Sequence, residues 1–115
     1  MIYEVVIQPR ALRDLDESQQ WAAKHAPFTA RRWYNRFIDR LHSLRRNPQH
    51  FGLAEESRKA KREIRQLLFG KRPNVYRALF VIDNTQVRVI RVLRAQRRAL
   101  TRRQIVEDSD PEAVT

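Results

Sequence analysis

The chain has 115 residues, 42% of them hydrophobic and 9% aromatic, which fits one folded domain with a single core and argues against a disordered segment. Its 24 lysines and arginines against 13 acids give a formal net charge of +11, a balance that points to an anionic partner: RNA, DNA, a ribosome or an acidic protein segment. There is no cysteine, hence no disulfide framework and no thiolate metal site, and no signal peptide or long apolar run, so a cytoplasmic protein without a membrane span is the expectation.

Residues 2–8 read as a first strand, with Tyr3, Val5 and Ile7 on one face and Ile2, Glu4, Val6 and Gln8 on the other. Pro9 ends it and suits the first turn of a helix over 10–24, where Ala11, Leu15, Ser18 and Ala22 recur at helical spacing and Leu12 and Trp21 widen the stripe. His25-Ala26-Pro27 breaks this helix, because the residue before a proline is pushed away from helical angles. Thr29 is the expected N-cap of a second helix over 30–46, whose apolar side holds Ala30, Trp33, Tyr34, Phe37, Leu41 and Leu44. Trp33, Tyr34 and Phe37 sit at core spacing and read as packing residues; Trp21 is half exposed on this reading and suited to an interface. Arg31, Arg32, Arg36 and Arg40 cover the other side and read as a solvated face. Asn47-Pro48 stops the helix, and the short break between the two makes an antiparallel hairpin lying across one face of a sheet.

Residues 49–61 read as a loop with at most a short helical turn; it runs into Arg58-Lys59-Ala60-Lys61-Arg62, the basic run best suited to touch a polyanion. Three strands follow, at 64–70, 76–82 and 87–94, rich in β-branched and aromatic residues. Residues 70–74 link the first pair and Asp83-Asn84-Thr85-Gln86 makes a hairpin between the second, so the three form an antiparallel meander. Arg65, Arg77, Arg88, Arg91 and Arg94 are set into these strands; successive side chains alternate, so one face can wall the core while the other is cationic. Arg88 and Arg91 fall on opposite faces by the same rule. Residues 94–104 are basic and read as a short helix or irregular extension, while 107–115 hold four acids and no base. The expected organisation is one α+β domain over 1–104, with helices on one side of one twisted sheet, and a mobile acidic tail over 105–115.

Ile64-Arg65-Gln66-Leu67 before Gly70, then Tyr76-Arg77-Ala78-Leu79-Phe80, then Val89-Ile90-Arg91-Val92-Leu93-Arg94 running into Arg97 resemble, in this order, the RelE/ParE superfamily of bacterial type II toxins, which includes plasmid stabilisation proteins; the likeness covers roughly residues 2–100. It implies a small twisted sheet with an N-terminal helical hairpin, and a growth-inhibiting toxin masked by a cognate antitoxin. RelE-like members cut mRNA in the ribosomal A site; ParE-like members poison DNA gyrase and are not nucleases. The resemblance implies an antitoxin segment, acidic and partly disordered, that folds onto the cationic sheet face. Operator DNA would be reached only indirectly, through the antitoxin.

RNA cleavage by the 2′-hydroxyl needs a base, a cation to stabilise the phosphorane and an acid for the leaving oxygen, and no metal or cofactor. Carried over residue by residue, the resemblance places Arg65, Arg77 and Arg97 as the cations of such a site, with Arg62, Arg91, Arg94 and Arg98 as further target- or phosphate-binding residues. The sequence departs from the nuclease pattern elsewhere. Arg94 stands where several members carry a histidine, Arg103 where RelE has a tyrosine, and His25, His42 and His50 all lie outside the strands. Arginine does not deprotonate and makes a poor base. Glu63 and Tyr76 are the nearby titratable alternatives, Glu63 sharing a face with Arg65 and Tyr76 facing opposite to Arg77. A gyrase-directed ParE-like toxin is therefore the favoured reading and a ribosome-dependent mRNA nuclease the alternative. A basic nucleic-acid-binding domain or a degenerate non-toxic member stands behind both; no helix-turn-helix, zinc-finger or RNP motif supports the former.

Overall fold

Two long strands make the centre of the sheet: β3 (Tyr76–Asp83) and β4 (Gln86–Arg94), joined by a tight turn in which Asn84 adopts left-handed angles, φ 55°, a conformation asparagine tolerates. The computed structural model describes residues 1–24, 26–97 and 99–109. β2 (Arg65–Phe69) pairs antiparallel with β3, and β1 (Glu4–Ile7) pairs parallel with β4, giving the order β1-β4-β3-β2. The meander read from the sequence is present, and the N-terminal strand makes the sheet a mixed one.

The helical hairpin covers one face. α1 (Pro9–Ala23) opens on a proline whose fixed φ suits the first helical position. Ala11 and Leu15 are buried as the spacing predicts, but Leu12 and Trp21 are exposed, and the third buried residue of the stripe is Asp14. α2 (Pro27–His42) begins on its own proline with Ala26 as N-cap. Thr29 is therefore the third helical residue and not the cap, because Pro27 is already preorganised to start the helix. α2 ends in a 3-10 turn over Ser43–Arg45, and Asn47 takes left-handed angles before Pro48. Phe37, Leu41 and Leu44 are fully buried against Leu67, Ala78, Phe80, Val87, Val89 and Val92, with Tyr3, Val5 and Ile7 packed alongside. Trp33, Phe37, Phe69 and Tyr76 form one aromatic cluster, in which Phe37 stacks on Phe69 at 4.5 Å. These contacts agree with the reading of Trp33 and Phe37 as packing residues.

The second face of the sheet is also covered, contrary to the expectation of helices on one side only. α3 (Glu55–Ala60) and α4 (Arg102–Ser109) lie against it, and Ile64, Leu79, Val81, Ile90, Leu93, Leu100 and Ile105 form a second core. The expected start of the acidic tail at 105 falls inside α4, where Ile105 is fully buried; residues 110–115 lie outside the described residues. The physical cause is in β3, where Ala78-Leu79-Phe80-Val81-Ile82 is apolar throughout and so offers burial on both faces. β4 also reaches both cores, and a bulge sets which of its residues go to each. Leu79 pairs with Arg91 and Phe80 with Val89, leaving Ile90 as the extra residue, which resets the alternation beyond it.

Candidate functional site

The strand arginines are sent to different places. Arg77 projects from β3 toward α3 and is 9% exposed. Its Nη1 and Nη2 donate to Glu56 Oε1 and Oε2 at 2.9 and 2.7 Å, and Nη1 also donates to Gln66 Oε1 at 3.1 Å. Glu56 is fully buried, and its Oε2 accepts a further bond from the backbone N–H of Leu100 at 3.1 Å. Burial pushes the Glu56 carboxyl up, but the hydrogen bonds from Arg77, the backbone N–H groups of Leu100 and Glu56 itself, and the arginine charge outweigh it and hold the group below its ordinary value. The carboxylate is ionised at neutral pH and committed to Arg77.

Arg91 is 2% exposed; the bulge leaves it opposite Leu79, on the same face as Arg88 opposite Val81 and not on the opposite face as alternation predicts, and it reaches past the end of β1, where Nε and Nη2 donate to Asp14 Oδ2 and Oδ1 at 2.8 and 3.2 Å. β1 pairs with β4 only as far as Val89. Past that point Asp14 of α1 takes the place of a strand neighbour, accepting from the Val92 N–H at 2.9 Å. Arg65 stands opposite Phe80 on the hairpin side; its Nη1 donates to the Phe51 carbonyl at 2.6 Å, and Nη2 lies 3.8 Å from Glu63. Arg88 donates to Gln8 Oε1 at 3.3 Å and pairs with Asp83 at 3.5 Å.

Arg65, Arg77 and Arg97 are thus not brought together. Arg65 and Arg77 lie on opposite faces of the sheet, and Arg97 stands in the turn after β4, where its N–H donates to the Arg94 carbonyl. Arg77 and Arg91 could bind a phosphate only by displacing a buried carboxylate. Arg94 and Arg97 remain exposed and share a cleft with Glu17 and Ser18 of α1 and Tyr76 of β3; Arg94 is braced by a 3.1 Å bond to Asn74 Oδ1. Arg62 is exposed at a separate cleft shared with Glu55, Arg58, Lys61 and Glu63. Arg98 lies outside the described residues.

The Arg94–Arg97 cleft can clamp a phosphate or a carboxylate, and Glu17 and Tyr76 bring a carboxyl and a phenol to it that can take up or give a proton. Sequence reasoning missed Asp14, Glu17 and Glu56. Asp14 carried a signal, since it lies on the buried stripe of α1 with Ala11 and Leu15, and a carboxylate there needs a partner. Glu56 carried none, because a six-residue helix is too short to show a buried face. Among the described residues no group of three or more His, Cys, Asp or Glu could hold a metal ion, and no helix is long and apolar enough to cross a membrane.

A family profile described as the ParE toxin of the type II toxin–antitoxin system parDE matches residues 5–99. Among solved structures the chain is similar to one described as the chromosomal ParDE TA system from P. aeruginosa, with a TM-score of 0.69 and 18% identity over 83% of this chain and 98% of that chain. No curated protein sequence matches the chain.

Proposed function

The chain belongs to the ParE toxin family of type II toxin–antitoxin systems, and from that premise we propose that it arrests growth by binding DNA gyrase and is held inactive by a cognate antitoxin. One observation carries the choice of target. The strand arginines that a superfamily nuclease would gather at one phosphate are divided between the two faces of the sheet, with Arg77 closed onto Glu56 and Arg65 tied to Phe51 and Glu63. A gyrase-directed toxin needs a shaped surface and no proton-transfer set, which this arrangement suits.

The antitoxin's place on this reading is the apolar groove at the turn end of the helical hairpin, where α1 ends and α2 begins. Ala30, Trp33 and Tyr76 line it, and Trp21, 60% exposed, stands at its rim. An amphipathic antitoxin helix would bury that surface, with its acids meeting Arg94 and Arg97 of the adjoining cleft, which shares Ser18 and Tyr76 with the groove. The sheet face expected to receive it is covered by α3 and α4. Action in the cytoplasm and dependence on the antitoxin for any contact with operator DNA belong to the same proposal.

The Arg94–Arg97 cleft supports a second reading, ribosome-dependent mRNA cleavage with Glu17 or Tyr76 as the proton-transfer group. Two assays on the purified protein separate them. Inhibited supercoiling by gyrase together with intact mRNA in cell-free translation is the expected result. New mRNA 5′ ends that appear only during translation, with supercoiling unaffected, would transfer the function to the cleft.

A further inference from the structure

The outer face of α2 carries charge that neither the fold nor the proposed function uses. Residues 26–54 hold six arginines (Arg31, Arg32, Arg36, Arg40, Arg45 and Arg46) against a single acid, Asp39. Arg32, Arg36 and Arg40 recur every fourth residue, so they form one stripe along the helix with an axial spacing of about 6 Å. All three are exposed, and among the described residues neither Arg32 nor Arg36 makes an ion pair. Arg40 is held in place at the end of the stripe: its guanidinium lies 5.5 Å over the Phe51 ring and Nη1 donates to Ser43 Oγ at 3.3 Å. It opens onto a concave surface shared with Arg46, Asn47 and His50.

We infer that this face is a sequence-independent docking surface for the phosphate backbone of duplex DNA. Adjacent phosphates of one duplex strand rise about 3.4 Å along the axis while winding around it and so lie about 7 Å apart, close to the roughly 6 Å between successive arginines of a rigid helix. Asn35, on the same exposed side, adds an amide of the kind that bonds phosphate oxygens. An acidic protein partner would seek apolar anchors between its charges; Phe28, exposed in the first turn of α2, stands at one end of the stripe, and between Arg32 and Arg40 the exposed side offers only Asn35, Arg36 and Asp39. The basic run at 58–62 differs, because Glu55 and Glu63 share its cleft and offset its charge. The inference does not rest on gyrase as the target, and it leaves recognition of operator sequence to the antitoxin.

The test measures binding of a short labelled duplex of mixed sequence by fluorescence anisotropy, from about 50 to about 200 mM salt. Arg32→Gln/Arg36→Gln alters two side chains with no ion pair to lose, and should weaken binding at least about tenfold at the lowest salt and lower the slope of log K against log salt by about 1.8. The charge-matched variant Arg58→Gln/Arg62→Gln should leave the slope within about half a unit of the parent. Equal losses in the two variants would reduce the effect to net charge and overturn the assignment, as would an unchanged slope in the first. Tighter binding of a single-stranded RNA of the same length, or displacement of the duplex by poly-glutamate at equal charge, would likewise overturn it in favour of another polyanion.

Discussion

Glu56 and Arg77 join a short helix to the central strand through two parallel hydrogen bonds of 2.9 and 2.7 Å, in a place where Glu56 has no contact with water. The pair sits where the superfamily resemblance places a phosphate-binding arginine, and it acts as a clasp. Removing one member strands the other without a partner, at a cost of about 3–5 kcal/mol. Arg77→Ala should therefore lower the urea midpoint sharply, and its loss of toxicity should track its loss of folded protein. Glu56→Leu/Arg77→Met, which removes both charges, should recover most of the stability. If Arg77→Ala abolished activity at an unchanged midpoint, Arg77 would touch the target.

The same clasp sets a pH dependence. Glu56 titrates at its ordinary 4.5 in the unfolded chain and lower when folded, after Arg77, the Leu100 N–H and its own N–H overcome the effect of burial. Below 4.5 the unfolded chain takes up a proton that the folded chain resists, so stability is fully present above that pH and falls as pH drops through the folded value. Tyr34 works in the opposite sense at the alkaline end. Burial and the nearby Asp16 carboxylate raise it above 10.0, so its contribution is present below that pH and lost as pH rises through the raised value. Unfolding midpoints measured from neutral pH to about pH 3.5 should fall less steeply for Glu56→Gln than for the parent; parallel curves would show that other carboxylates set the acid limb.

Asp14 predicts a second large effect, at a carboxylate set on the buried stripe of α1. It receives Arg91 through two bonds and the Val92 N–H through a third, all with 6% of its own surface exposed. Asp14→Ala should cost about 3–5 kcal/mol, as expected for an uncompensated buried arginine. The damage should concentrate where α1 meets β4, so hydrogen exchange should accelerate at the Val92 amide more than at the Leu67 amide of β2. Equal acceleration at both would mean that the fold loosens as one unit.

These two clasps mark the limit of what the sequence discloses. The meander was legible because Val87, Val89, Ile90 and Val92 are β-branched and the turn at Asn84 is short. The hairpin was legible because Phe37, Leu41 and Leu44 repeat at helical spacing. The partners of Arg77 and Arg91 were not, since they lie 21 and 77 residues away and the second depends on a bulge that periodicity cannot foresee. Strand alternation aligned Glu63 with Arg65, but its separation of Arg88 from Arg91 fails at the bulge, which leaves them opposite Val81 and Leu79 of one and the same core. The covered second face had a visible signal in the unbroken apolar run of β3, which a one-faced sheet would not need.

The C-terminal segment makes the last prediction. Residues after 99 fall outside the family match, yet Leu100 and Ile105 are buried against Leu79, Val81, Ile90 and Leu93. Glu56 accepts the Leu100 N–H with the oxygen that also receives Arg77, and Lys59 Nζ reaches the Leu100 carbonyl at 3.5 Å. The segment is thus tied to the clasp as well as to the core beneath it, and should unfold together with the sheet. Ile105→Ala leaves the clasp intact and removes only buried methyl and methylene groups, for which a loss of about 2–5 kcal/mol is expected. The variant should show a lower urea midpoint with an unchanged slope, and faster hydrogen exchange in β3 as well as α4. Faster exchange confined to α4, with the midpoint unmoved, would make the segment a separately opening flap over a sheet that folds without it.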